Sequence, residues 1–408
     1  MFSLLPYQPE QATTLRPIIA RHERVGFSGA SSLAAKWYGG FAPDIVHFLQ
    51  SPSGDIVASV GLLQDELGGG LWCGGKALSG LSFTSLVVEP AVRGRGVASA
   101  LNAAVVREAA KRKLAVASLF PANLELYRKA GFELVADYSM FSINPAAIRP
   151  AGDSASIQAR PGRAADRDAL VRLRDQLLAK RHATGTYQRD ALSWQMLFQT
   201  TNEDPAEVLL FYRGEELVGY LILDMLAGGP MPTDRAIWVQ DWMAADVETS
   251  RALVKAIASF GTVHQKVTWQ PQASEDLAEA MVPQPTYIKP VLCEPLAARI
   301  IDPYQALAGR GYRAAANGAV RLAIDDPLLD RKYDLVLKVE GGVATVGPVK
   351  QPGIPRLSMS INALAPMLFG YRAASTLMRM GWVSGAGQAV ATADVLFATE
   401  RSITGDFY

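Results

Sequence analysis

Between Ser85 and Ala98 the chain reads Ser-Leu-Val-Val-Glu-Pro-Ala-Val-Arg-Gly-Arg-Gly-Val-Ala, an apolar strand that runs into a glycine-rich turn opening a helix. Leu86, Val87 and Val88 are strand formers, and Pro90 ends the strand. Beyond the turn, apolar residues recur at Val97, Leu101, Ala104, Val105 and Val106, a helical spacing. A turn in that position presents unpaired backbone N–H groups and the positive end of the helix dipole. It therefore holds a phosphate without help from side chains. Gly94 and Gly96 let the backbone come close to such a group, and Arg93 and Arg95 add positive charge. The segment predicts a pyrophosphate-binding turn in a layered α/β domain.

Two familiar phosphate motifs are excluded. A P-loop needs Gly-x-x-x-x-Gly-Lys-Ser/Thr, which the chain lacks, and a dinucleotide fingerprint needs a third glycine where Ser99 stands. Downstream, Leu114 to Phe120 is a second apolar strand. A short helical stretch follows, through Ala122, Asn123 and Tyr127, and ends in Gly131-Phe132.

At 408 residues the chain exceeds one ordinary core, which stops growing at about 250 to 300 residues, so two or three domains are expected. A formal net charge of +1 gives no electrostatic reason to expect nucleic acid as a partner. The first residues lack the basic region and apolar run of a signal peptide, and no apolar stretch approaches the roughly 18 residues of a membrane span. Cys73 and Cys293 are the only cysteines, and His22, His47, His182 and His264 are scattered without ligand spacing. Neither a disulfide framework nor a metal site is expected, and the predicted address is the cytoplasm.

The stretch from Pro150 to Ser156 is small and polar and reads as a linker. After it come a strand and helix from Ile157, a hairpin of 207–212 with 217–223, and a strand at 237–242. Where a phosphate turn should then follow, Ala244-Ala-Asp-Val-Glu248 has no glycine and two acids. Past residue 296, Val320, Leu322 and Ile324 alternate with small or polar residues, as do Leu335, Leu337 and Val339. These predict half-buried antiparallel strands. Helices are expected at 361–370, 373–380 and 392–397.

Arg93, Gly96 and Ala98 form Arg-x-x-Gly-x-Ala, which resembles the coenzyme A pyrophosphate loop of the GCN5-related N-acetyltransferases; the strand, the Tyr127 helix and Gly131-Phe132 resemble the second half of that core. With a second such start at Ile157 and strands then helices at the end, the whole chain resembles the enhanced intracellular survival (Eis) N-acetyltransferases. The resemblance implies an α/β (α+β) chain of tandem GCN5-related N-acetyltransferase folds followed by a sterol-carrier-like α+β domain. The implied divisions are 1–148 (catalytic), 149–295 (degenerate) and 296–408 (sterol-carrier-like). It implies acetyl-CoA as co-substrate without metal, a small-molecule or peptide amine as acceptor, and a homo-oligomer, specifically a hexamer. Coenzyme contacts would fall on Leu86, Val87, Val88, Arg93, Gly94, Arg95, Gly96, Val97, Ala98, Ser99, Ala122 and Asn123. The general acid would be Tyr127 and the base the carboxylate of Tyr408, with Trp37 and Asp406 lining the acceptor site. Many relatives carry a basic residue where Gly94 stands here, so phosphate affinity would be lower.

The chemistry explains the demand for these groups. An alkyl ammonium with a pKa near 10.4 must lose a proton before attack, which at pH 7 costs about 4.6 kcal/mol. A carboxylate that accepts the proton lowers that cost, and a tyrosine hydroxyl can donate to the departing thiolate. The rival base is Glu89, in a peptide or lysine N-acetyltransferase. The rival class is a non-catalytic acyl-coenzyme A or lipid-binding protein.

Overall fold

The computed structural model describes residues 2–27, 45–64, 66, 68–150, 152–199, 205–226, 235–272, 277–281, 287–350 and 353–406. The first unit runs β1 (Ser3–Pro6), α1 (Ala12–Phe27), β2 (Val46–Gln50), β3 (Ile56–Leu63), the small hairpin β4 (Leu71–Cys73) and β5 (Lys76–Leu78), β6 (Gly80–Val88), α2 (Val97–Lys111), β7 (Val116–Leu119), α3 (Leu124–Arg128) and β8 (Glu133–Ile143). The second runs β9 (Ile157–Pro161), α4 (Arg167–Lys180), α5 (Ala191–Leu197), β10 (Glu207–Arg213), β11 (Glu216–Leu226), β12 (Ala236–Ala244), α6 (Val247–Ser259), β13 (Lys266–Trp269), α7 (Ala278–Met281), β14 (Lys289–Leu292) and β15 (Leu296–Ile300). The third comprises α8 (Pro303–Gly309), β16 (Gly318–Asp326), β17 (Arg331–Glu340), β18 (Val343–Pro348), β19 (Arg356–Ser360), α9 (Ile361–Leu368), α10 (Ala374–Arg379), β20 (Val383–Gly385), α11 (Gly387–Phe397) and the tail strand β21 (Ile403–Thr404).

One sheet crosses the first two units in the order β1-β2-β3-β6-β7-β15-β8-β13-β12-β11-β10-β9. Its seam is β8, whose residues 133–136 pair with β15, 137–138 with β21, 139–142 with β14 and 141–143 with β13. Residue 296, where the sequence suggests the third domain begins, opens a strand lying between β7 and β8 of the first sheet. Gly131 has φ +91 and stands against the Arg299 guanidinium of that strand, which donates to the Ala130 carbonyl (2.6 Å). A side chain at residue 131 would displace it.

The third domain is a five-stranded sheet in the order β18-β17-β16-β19-β20 with helices packed on it. Leu322, Ile324, Leu335, Leu337 and Val339 point inward as their alternation predicts. β16 and β17 pair antiparallel as their alternation predicts, and the sheet as a whole is mixed because β19 lies parallel to β16, which it reaches by a long connection. The apolar core of this domain is continuous with that of the first unit, since α9 packs on β8 and β15. Cys73 is buried there, its Sγ donating to the Leu368 carbonyl (3.4 Å), and burial pushes its thiol up to about 11. Among the described residues, no helix is long and apolar enough to cross a membrane.

Candidate active site

The glycine turn is built as its sequence demands. Glu89 leads from β6 into a short 3-10 turn at Pro90–Val92, and Arg93 folds back so that its Nε donates to the Val88 carbonyl (3.1 Å). Gly94 (φ +76) and Gly96 (φ +81) hold left-handed backbone that other residues rarely adopt. No atom lies within 4 Å of where a Cβ would stand on either glycine, so the concavity above the turn is open. The first hydrogen bond of α2 joins Ala100 N–H to the Gly96 carbonyl (3.0 Å), and no side chain caps the helix. The N–H groups of Val97, Ala98 and Ser99 therefore leave the helix end toward that concavity. A helix end of this kind is suited to an anionic group.

Beside the turn the sheet opens. Strands β6 and β7 pair in parallel only at residues 80–82 and 116–118, while β6 runs on through Val88. Against β3, the register passes from Ser59↔Val87 to Gly61↔Thr84, so Ser85 and Leu86 together oppose Val60. This bulge, with Ser85 at φ 55, turns β6 away from β7. Past Ser82, β6 makes no further ladder pair with β7. The strand past the bulge, Leu86 to Val88, thus lines the gap, with the main chain of Val87 turned to Ser59 of β3. Across the gap, Pro121 leads to Ala122 and Asn123, both exposed. The Asn123 Oδ1 accepts from the Glu125 N–H (3.1 Å) and caps α3.

Tyr127 is the buried residue of α3, boxed by Phe83 and Phe132 with ring centroids 6.3 Å away in each case. Burial pushes its hydroxyl up to about 12. Glu89 is already engaged: its Oε2 accepts from Arg21 Nη2 (2.8 Å) and its Oε1 meets His22 Nε2 (3.1 Å). His22 Nδ1 lies 2.6 Å from Ser59 Oγ, which ties α1 to the bulge. Sequence reasoning missed His22 and Ser59, because no local pattern joins positions so far apart.

Trp37 and Tyr408 lie outside the described residues. Asp406 is described, and its carboxylate accepts from Arg174 Nη2 (3.0 Å) and Arg189 Nε (2.6 Å) of the second unit. The tail before it runs as β21 alongside Asp137 and Tyr138 of β8.

The second unit repeats the parallel-pair design, with β12 and β13 joined at 236–238 and 266–268 and β12 running on to Ala244. Here the two strand ends are bridged: Trp242 is buried and its Nε1 donates across to the Gln270 carbonyl (2.7 Å), while Trp269, buried as well, stacks on Phe141 of β8. The helix N-terminus is also taken: Asp246 Oδ1 accepts from the Thr249 N–H (2.9 Å), and Arg213 pairs with Asp246 and Glu248. A carboxylate of the chain occupies the place of a phosphate.

Residues 52–135 and residues 185–300 each match the acetyltransferase (GNAT) domain family, and residues 303–405 match the sterol carrier protein domain family. No curated protein matches the sequence. Among solved structures, the chain is similar over its whole length to a GCN5-related N-acetyltransferase from Anabaena variabilis (20% identity, all of both chains, TM-score 0.88). It is similar in the same way to one from Kribbella flavida (19% identity, all of this chain and 98% of that one, TM-score 0.82). Eis1 from Mycobacterium abscessus aligns over all of both chains at 20% identity and TM-score 0.75. At such identities these likenesses speak for the fold. GNAT domains use acetyl-CoA as co-substrate. Two acetyltransferase domains of tandem GCN5-related fold, followed by a sterol-carrier-like α+β domain, make up this chain, and it is an enzyme of the N-acetyltransferase class.

Proposed function

We propose that the chain is an Eis-like enzyme that acetylates a primary amine from acetyl-CoA by direct attack, in the first unit alone. The observation that carries this reading is the contrast between the two clefts: the first has an open glycine turn and a strand that parts from its neighbour, the second a carboxylate cap and a tryptophan that bridges the strand ends. The coenzyme supplies the acyl thioester. Val97, Ala98 and Ser99 N–H groups with Arg93 and Arg95 bind the diphosphate, and the main chain of Leu86–Val88 with Ala122 and Asn123 flanks the arm that reaches into the gap. Tyr127 donates a hydrogen bond to the departing sulfur. The carboxylate of Tyr408, as chain terminus, takes the proton of the amine. Glu89 is the weaker candidate for that step, since both its oxygens already meet Arg21 and His22.

The acceptor is an aminoglycoside-, polyamine- or lysine-like amine, with Trp37 on its wall. Assembly as a homohexamer and a cytoplasmic address belong to the same reading. Thiol release from acetyl-CoA across those amine classes tests the activity; binding of acyl-coenzyme A without release by any amine would replace it with the carrier reading. One residue appended after Tyr408 tests the base. Turnover should collapse with coenzyme affinity kept, whereas unchanged turnover would return the role to Glu89.

A further inference from the structure

Strands β6 and β7 stay paired only as far as Ser82 and Ser118, the last residues matched across their parallel ladder. At that point their side chains meet as well. The two hydroxyl oxygens lie 2.6 Å apart, and the residues are 0% and 1% exposed. Ser82 Oγ donates its one proton to the Gly69 carbonyl (3.1 Å), so the shared bond takes its proton from Ser118. A clasp of two hydroxyls thus closes the crotch of the first cleft and ties it to a third stretch of chain. One residue past the clasp on β6, Phe83 packs against the Tyr127 ring (6.3 Å). On the other strand, Leu119 and Phe120 lead to Ala122 and Asn123 at the mouth of the gap.

The third stretch is held by the second unit. Gly69 N–H donates to the Gln188 carbonyl and Gln188 N–H to the Gly70 carbonyl (2.8 Å each). Trp72 N–H donates to the Thr186 carbonyl (2.8 Å), and the Trp72 carbonyl accepts from Gly185 N–H (2.9 Å), with Leu71 opposite Tyr187 between them. Residues 69–72 therefore run antiparallel to 185–188 as a short ladder between the units. Glycine makes the close approach possible. Gly69 has φ +114, and a Cβ there would fall 2.6 Å from the Leu63 carbonyl oxygen; one on Gly80, at the start of β6, would fall 2.6 Å from Gly70 Cα. The Trp72 side chain is buried in the second unit's core with Leu170, Leu173 and Trp194. Contact is continuous from that core through Trp72 and Gly69 to Ser82 and Ser118.

We propose that residues 69–72 are a strut through which the second unit fixes the crotch of the first cleft, with Ser82 and Ser118 as positioning residues for acetyl transfer. This rests on the reading that the first cleft takes the coenzyme arm. An arm entering at the mouth, between Val88 and Asn123, directs its acyl end toward the crotch. A shift of about 1 Å there displaces the thioester from Tyr127, while the diphosphate turn beyond Val88, about 20 Å along the strand, is left as it was.

The test reads kcat and KM for acetyl-CoA in Ser118→Ala, in Trp72→Leu, in the two combined, and in Gly94→Val as a control on the cleft, with an amine that supports thiol release. Rates are taken per acetyl-CoA site counted by titration calorimetry, so that unfolded protein does not enter them. Ser118→Ala opens the clasp and should lower kcat about 10- to 100-fold with KM within about twofold. Trp72→Leu loosens the far end of the strut and should lower kcat in the same sense. In the Ser118→Ala background it should lower kcat no further, because both changes act through one path. Gly94→Val sets a side chain over the open turn and should raise KM. Unchanged kcat in Ser118→Ala, or losses that multiply in the combined variant, overturns the strut and, where Gly94→Val still raises KM, leaves the cleft reading standing. Unchanged KM in Gly94→Val, or no turnover with any amine, overturns both. Should Trp72→Leu fail to fold, Trp72→Phe serves instead, keeping a ring in the second unit's core and read by the same ratios.

Discussion

The surroundings of Tyr127 bear on the role proposed for it. Its ring is caged by Phe83 and Phe132, and burial pushes its hydroxyl up to about 12. A thiol titrates near 8.5, so complete transfer of the phenol proton to a thiolate would be uphill by about 5 kcal/mol. In the proposed mechanism the side chain would therefore act in the transition state, as a neutral donor to charge growing on sulfur. Tyr127→Phe should lower kcat by about 10²- to 10⁴-fold and leave KM for acetyl-CoA nearly unchanged. The ionisation near 12 also places Tyr127 outside the working range, so the kcat profile of the unaltered enzyme between pH 6 and 10 should carry no limb that Tyr127→Phe removes. Stopped-time thiol release across that range measures both. Unchanged kcat would remove Tyr127 from the chemistry. Its place on a short helix after the second strand was legible in the sequence, because strand, helix and Gly131-Phe132 sit within a few positions of it. Asp406 was legible as a charged residue of the tail. Its partners Arg174 and Arg189 were not, since each lies more than 200 positions away.

At the scale of elements, local devices were read correctly and long-range ones were not. The turn at 93–96, the α2 stripe and the acid-capped start of α6 each depend on neighbours in sequence. The β6 bulge and its support depend on residues brought together by the fold. His22 of α1 joins Ser59 of β3 and Glu89 at the end of β6, so one imidazole braces the three elements that shape the cleft. Burial lowers the His22 pKa below its ordinary value of 6.5, and the charge of Glu89 only partly offsets this. The folded protein thus keeps His22 neutral at a pH where the unfolded chain takes up a proton. Above about pH 6.5 neither state is protonated and stability is full; as pH falls through 6.5 toward the lowered folded value, the unfolded state is favoured and stability drops. His47, lowered by burial as well, adds to the slope. His22→Gln should flatten the loss of unfolding free energy between pH 7 and pH 5, measured by urea titration at both. An unaltered slope would assign the acid sensitivity elsewhere.

The whole molecule is less divisible than its three sequence domains suggest. Linkers and repeats mark where chain segments begin, but which sheet a strand enters is decided by packing that no local pattern records. Strand β15 follows the second unit in sequence, yet completes the first unit's sheet between β7 and β8. The same strand reaches the third domain. Arg299 Nη2 bonds both oxygens of Asp326 at 2.8 Å, with both side chains fully buried, while its Nη1 holds the Ala130 carbonyl ahead of Gly131. One guanidinium therefore links the Tyr127 segment, the first sheet and the third domain's β16. Asp326→Asn would leave that cation buried without its carboxylate, at a cost of roughly 3–5 kcal/mol, a large share of the usual 5–15 kcal/mol total. Because the apolar core runs unbroken from the first unit into the third domain, the loss should be felt by both at once. Calorimetry should show a single transition joining them that moves to lower temperature as a whole. Two resolved transitions, with only the later domain's shifting, would mean that the third domain folds on its own and that Arg299 is a local tether.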